Sequence, residues 1–225
     1  MYEMLEYHST MKGCGSGVAA EKKQTVSVNS RYNASMTREQ FLFHEMRITA
    51  KLLNDGLTDE DVINKVITEN LFQYPTERQI KNIAHACIKR LNSLDDRILV
   101  SAVATQSSEV AKQICLYSMM KYYRLVWDFM ITVIGNKYKQ QDFSFSKIDL
   151  NAFFMRLQEQ DNNVATWTES TVKKLKQVIM RTLVENSYLD NTKSDHLNPV
   201  MIYSILENSI RNSGDTAALS AFNCL

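Results

Sequence analysis

In 225 residues the chain has only two prolines and six glycines. This scarcity of breaking residues constrains the fold more than any other feature. An all-β sandwich or barrel must turn every few residues and uses Gly and Pro to do so, whereas helices need a breaker only at their ends. The chain therefore reads as mostly α. Apolar residues make up 44% and charged ones 23%, enough for a buried core beneath a solvated surface.

Cap signals divide the chain. Residues 1–30, interrupted by Gly13, Gly15 and Gly17, read as a flexible leader outside the fold. A glycine-rich run cradles phosphate between a strand and a helix, and no apolar strand precedes Gly13. Thr37, with Gln40 three positions on, forms a capping-box pattern that predicts a helix from Thr37 to Asn54, ended by Gly56. Thr58 opens a second helix, with Asp59, Glu60 and Asp61 in its first turn, where the dipole favours acids. Thr76, after Tyr74-Pro75, opens a third that runs through Leu91. A shorter helix is expected from Asp95 to about Thr105, and a long one from Ser107-Ser108-Glu109 to near Gly135. The last is apolar almost all round, as suits a central buried helix. The polar stretch 137–141 suggests a helical domain over 31–140 and a second module over 141–225 with a C-terminal helical tail.

Several function classes drop out. The most apolar stretch, Ile114 to Ile134, carries Lys121, Arg124 and Asp128 and lacks the ~20 apolar residues of a membrane span. Glu3 and Glu6 sit where a signal peptide would need basic and apolar residues, so a cytoplasmic location is expected. Cys14, Cys87, Cys115 and Cys224 are scattered, with no C-x-x-C pair, and the four histidines show no i, i+4 pairing, so no metal site is expected. G-x-S-x-G and Walker patterns are absent. The chain is expected to act by binding, with no catalytic residues and no cofactor.

Beyond the connector, Phe143, Phe145 and Ile148 lead into a helix with Phe153, Phe154 and Leu157. Thr168 then caps a long helix to about Asn186. At ~100° per residue, Val172, Leu175, Ile179 and Leu183 form one stripe, leaving Ser170, Lys173, Lys174, Gln177 and Arg181 opposite. Two short apolar pieces around a polar tip containing Lys193 read as a hairpin. Helix, break, helix and hairpin is the order of a winged helix, in which one helix enters the major groove. Lys and Arg meet phosphates or guanine, and Gln meets adenine. Ser170, Lys173, Lys174, Gln177, Arg181 and Lys193 are thus candidate DNA-binding residues. From this segment alone a plain solvated face is the better reading, since its acidic residues roughly cancel its basic ones, and a net charge of +1 gives no global attraction to nucleic acid.

Three polar residues fall in apolar surroundings. Glu45 lies within the Phe41, Leu42, Ile48, Leu52 face, where a carboxylate needs a partner. It is expected to be structural, paired with an arginine such as Arg90 or Arg124; a catalytic role would need a second group nearby, and none is identifiable. Arg124 and Asp128, one helical turn apart, are expected to pair.

Taken in order, several segments resemble the BrxA family of BREX bacteriophage-exclusion systems from about Arg31 onward. They are Phe41-Leu42-Phe43-His44-Glu45-Met46-Arg47, Glu69-Asn70-Leu71-Phe72, Ile88-Lys89-Arg90-Leu91, Trp167 with Ser170-Thr171-Val172-Lys173-Lys174-Leu175, and Gly214-Asp215-Thr216-Ala217-Ala218-Leu219. The resemblance implies a cytoplasmic, non-enzymatic helical protein, likened to the antitermination factor NusB. It would bind double-stranded DNA and work beside other BREX proteins, among them a methyltransferase, an ATPase and a phosphatase-like partner. RNA binding in the antitermination manner and a protein-only scaffold are the alternatives.

Overall fold

Most helix boundaries follow the caps. In the computed structural model, which describes residues 31–224, α1 (Phe43–Asn54) is closed by Gly56 at φ 89°. The Leu57 and Gly56 amides turn back to the Leu52 and Leu53 carbonyls, the tight reversal that a left-handed glycine permits. α2 (Asp59–Thr68) opens on a reciprocal Thr58/Asp61 capping box, and α3 (Glu77–Asn92) opens on Thr76, whose hydroxyl accepts from the Gln79 amide. α4 (Arg97–Thr105) follows, capped by Asp96. The expected leader and Cys14 lie outside the described residues.

Two expected helices are corrected. The Thr37/Gln40 box does not start α1. Ser35–Thr37 is a single 3-10 turn, and α1 begins only after Leu42, itself left-handed at φ 57°. The reason is a distant one. Arg90 on α3 is completely buried and donates to the carbonyls of Glu39 and Phe41 (3.0 Å for the latter), holding 39–41 out of a helix. The long central helix is also broken. α5 (Ser108–Tyr122) stops at Tyr123, whose backbone is extended, and α6 (Arg124–Phe129), a π-helical segment Met130–Gly135 and α7 (Asn136–Lys139) follow. Tyr123 stops the helix where its hydroxyl turns to the same buried cluster, accepting from Arg90 at 3.0 Å and donating to Glu39. Burial, aided by the Glu39 carboxylate and opposed by the Arg90 guanidinium, pushes the Tyr123 phenol well above its ordinary range.

α5 is the central helix, buried on every side from Val110 to Lys121. α1 lies mainly on α4, α3 on α2 and α1, and α5 on α4 and α3. Gln113, Tyr117 and Lys121 on α5 each serve a remote segment. Gln113 donates to the Met201 carbonyl at 2.8 Å and accepts from the Tyr203 amide. Lys121 pairs with Asp95 and, at 2.8 Å, with Asp215, which also accepts from the Tyr117 hydroxyl at 2.6 Å. The Gly214-Asp215 segment thus carries the C-terminal turn of the chain back onto the core. The 3-10 segment Thr216–Phe222 then packs on Met130–Gly135. No helix among the described residues is long and apolar enough to cross a membrane.

The second half builds α8 (Lys147–Gln160), opened by a Ser146/Asp149 capping box, then the single turn α9 (Asn162–Ala165), α10 (Glu169–Glu185), and α11 (Ser204–Ser213) ended by Gly214 at φ 80°. Phe129 packs edge-on against Phe145 and Phe153. One buried cluster has members on both sides of residues 140–141, Tyr138 and Phe145 among them. Among the described residues the expected hairpin is reduced to its base, where the Asn198 amide donates to the Tyr188 carbonyl. The returning segment pairs elsewhere, as one antiparallel bridge between Ser144 and His196, just ahead of α8.

Candidate nucleic-acid interface

α10 is fixed from below. Val172, Leu175, Ile179 and Leu183 are buried as their spacing requires, and the N-terminal part of the fold meets the helix through the 3-10 turn Ser35–Thr37. This packing leaves Ser170, Lys173, Gln177 and Arg181 exposed and Lys174 half-buried.

A groove of about 680 Å³ runs between α10, the start of α8 and the tip at Thr192 and Lys193. It gathers Lys173, Gln177, Arg181 and Lys193. Ser170 and Lys174 do not line it. The Ser170 hydroxyl lies 3.0 Å from that of Thr168, the cap of its own helix. The groove adds two cations that the α10 outer face alone did not supply, Lys147 from the first turn of α8 and Lys176. Lys147 is invisible to any periodicity within α10, because proximity of α8 brings it there. Lys176 sits at the edge of the α10 stripe. Its ammonium donates to Asn151 at 2.8 Å and lies 5.4 Å from the Phe154 ring centre. Partial burial lowers its pKa.

The groove is thus lined by five cations (Lys147, Lys173, Lys176, Arg181 and Lys193) and one carboxylate, Glu169. A local field of one sign coexists with a near-neutral chain. Such a cleft concentrates polyanions at its walls. Gln177 and Asn151 supply amides able to donate and accept alongside the charges.

Of the polar residues singled out from sequence, Arg124 and Asp128 pair as expected, and Glu45 has another partner. Glu45 is half-buried and accepts from the Tyr74 hydroxyl at 2.7 Å, in place of an arginine. Arg90, named as its partner, is committed to the Glu39/Phe41/Tyr123 cluster. Arg124 and Asp128 pair at 3.3 Å but are partly exposed, and the Tyr32 hydroxyl also donates to Asp128 at 2.5 Å. Desolvation beside this carboxylate pushes the Tyr32 phenol up to about 12. Sequence reasoning missed the Lys121/Asp215/Tyr117 cluster, for which a lysine inside an apolar helix was the only signal.

The fold has a counterpart among solved structures. A solved structure of an uncharacterized protein from Magnetospirillum magneticum superposes with a TM-score of 0.74 over 85% of this chain and 98% of that one, at 22% identity. A BREX protein BrxA from Bacillus cereus is 37% identical over 186 residues, 82% of this chain and 92% of the relative. One from Paramagnetospirillum magneticum is 24% identical over 82% of this chain and 92% of its own. The BrxA family model matches residues 30–214, and the chain belongs to the BrxA family.

Proposed function

We propose that this chain is a non-enzymatic, cytoplasmic component of a BREX phage-defence system that binds double-stranded DNA through the α8/α10 groove. The observation that carries the reading is the groove's five cations against one carboxylate. In this reading α8, α9 and α10, with the Ser144–His196 bridge in place of a full hairpin, act as a winged-helix-like module, and the N-terminal helices as a NusB-like bundle. In this arrangement α10 is the element that approaches the duplex. Its cations neutralise phosphates and Gln177 is placed to reach a base edge. Few base-reading side chains line the groove, so binding is expected to be modest and largely independent of sequence.

Other BREX proteins are its partners in this reading. The test is reversal of groove charge, with Lys173→Glu, Arg181→Glu and Lys193→Glu combined and compared with the parent on one fluorescent duplex at one salt concentration. Binding should weaken by about 100-fold or more, since several phosphate contacts become repulsive. Lys174→Glu, outside the groove, should change affinity far less. Equal affinity of the triple variant and the parent would remove this groove from DNA binding. Tighter binding of RNA than of duplex would favour an antitermination-like role, and no binding to either would leave a protein-only scaffold.

A further inference from the structure

We infer that the groove is one half of a longer track for duplex DNA, continued on the outer face of α3. This inference rests on the DNA-binding reading above and extends it to a surface that the sequence did not single out.

The continuation starts at Arg181. Its guanidinium donates to the Gln40 side chain at 3.3 Å, and Gln40 lines a second hollow of about 870 Å³ together with Arg38, Arg78, Gln79, Asn82 and Lys89. The contact of α10 with the turn Ser35–Thr37 places Arg38 next in line after Gln40. On α3, positions 78, 82, 85 and 89 recur at helical spacing and share one face. From Arg78 to Lys89 that face extends about 16 Å at 1.5 Å per residue.

The charges on this face have no other employment. Arg38, Arg78 and Lys89 are exposed, and among the described residues none of their side chains has a carboxylate or hydrogen-bond partner. The one carboxylate that lines the hollow, Glu39, accepts from the buried Tyr123 hydroxyl. The acidic groups lie to the sides. Glu45 and Glu185 line the adjoining hollow near Tyr74, while Asp59 and Glu60 line the α2 side of α3. The cations therefore form a path bounded by carboxylates, from Lys193 through Lys173, Arg181 and Arg38 to Arg78 and Lys89. A row of exposed cations of this kind suits the continuous phosphate charge of a duplex, one per ≈ 1.7 Å of axis.

The experiment compares three full-length proteins by fluorescence anisotropy on one duplex of about 30 base pairs, across a salt series. They are the parent, an α3 triple variant (Arg38→Gln, Arg78→Gln, Lys89→Gln) and a groove triple variant (Lys173→Gln, Arg181→Gln, Lys193→Gln). Each cation lost from the interface should make the log K against log salt slope shallower by about 0.9. Both triple variants should therefore lose up to about 2.7 in slope and at least about tenfold in affinity near 0.1 M salt. Thermal melts of both should match the parent closely, because exposed side chains, including Arg181 with its one exposed bond to Gln40, contribute little to stability. An α3 variant that binds like the parent, while the groove variant is weakened, overturns the track and leaves the groove as the DNA site. A groove variant that binds like the parent overturns the DNA reading and the track with it. An α3 variant weakened only on an RNA hairpin also overturns the track, and assigns that face to RNA.

Discussion

Arg90→Met removes the guanidinium from the cluster that joins the N-terminal segment to the core, and the cost can be worked from its partners. Arg90 is fully buried. It donates to the carbonyls of Glu39 and Phe41 and to the Tyr123 hydroxyl, and lies 5.0 Å from the centre of the Tyr123 ring. Methionine fills much of the volume but donates nothing. Two carbonyls are then left inside the fold without a partner, at about 1–3 kcal/mol each, and Glu39 loses its compensating charge. The expected loss is about 3–5 kcal/mol, the range for breaking a buried charge cluster by removing one member. For a chain of this size each kcal/mol moves Tm by about 2–4 °C, so the melt should fall by about 6–20 °C. Tyr123→Phe keeps the ring and loses only the hydroxyl, and should cost about 1–2 kcal/mol. Thermal denaturation followed by circular dichroism measures both. Arg90→Met melting with the parent, or Tyr123→Phe costing more than Arg90→Met, would refute the claim that the guanidinium organises residues 39–41.

Three further outcomes are expected. Glu45→Ala should cost only about 1–2 kcal/mol, because its carboxylate is half-buried and bonded to Tyr74; a loss above about 4 kcal/mol in a denaturant titration would show a charge pair instead. Gly135→Ala should destabilise by about 1–3 kcal/mol, since an added Cβ would lie 2.5 Å from the Ser220 Oγ, and adding Ser220→Gly should recover part of the loss in a double-mutant cycle. Stability should decline as pH rises above about 9, because burial pushes the Cys87 thiol from 9.0 up to about 12 and raises that of Cys115. The unfolded chain then releases these protons first, so it holds fewer protons than the native state and the slope of stability against pH is negative. A melt unchanged between pH 8 and 10.5 would contradict the burial of these thiols.

What was legible in the sequence is what neighbouring residues decide. The α2 start at Thr58, the α3 start at Thr76, the α10 cap and its buried stripe are settled within a turn or two of chain, and the structure has them where the caps put them. The failures lie where a partner tens of residues away overrides the local signal. The Thr37/Gln40 box is a sound local pattern, yet Arg90 takes the carbonyls that a helix there would use. The break at Tyr123 carries no Gly or Pro, and only the pull of the same cluster explains it. The candidate site divides in the same way. Lys173, Gln177 and Arg181 follow from the α10 wheel, while Lys147 and the α3 face need the packing of separate helices to bring them alongside.

The most direct test of the central claim is the salt dependence of duplex binding by the unmodified chain. Anisotropy titrations of a labelled duplex between about 50 and 200 mM salt give the slope of log K against log salt, at about −0.9 per phosphate neutralised. Five groove cations predict a slope of about −4.5 from the groove alone, and a steeper one if the α3 face is engaged. Saturable binding with a slope of about −3 or steeper is the predicted result. A slope shallower than about −1, or no saturable binding at the lowest salt, would contradict a groove that works by meeting phosphates.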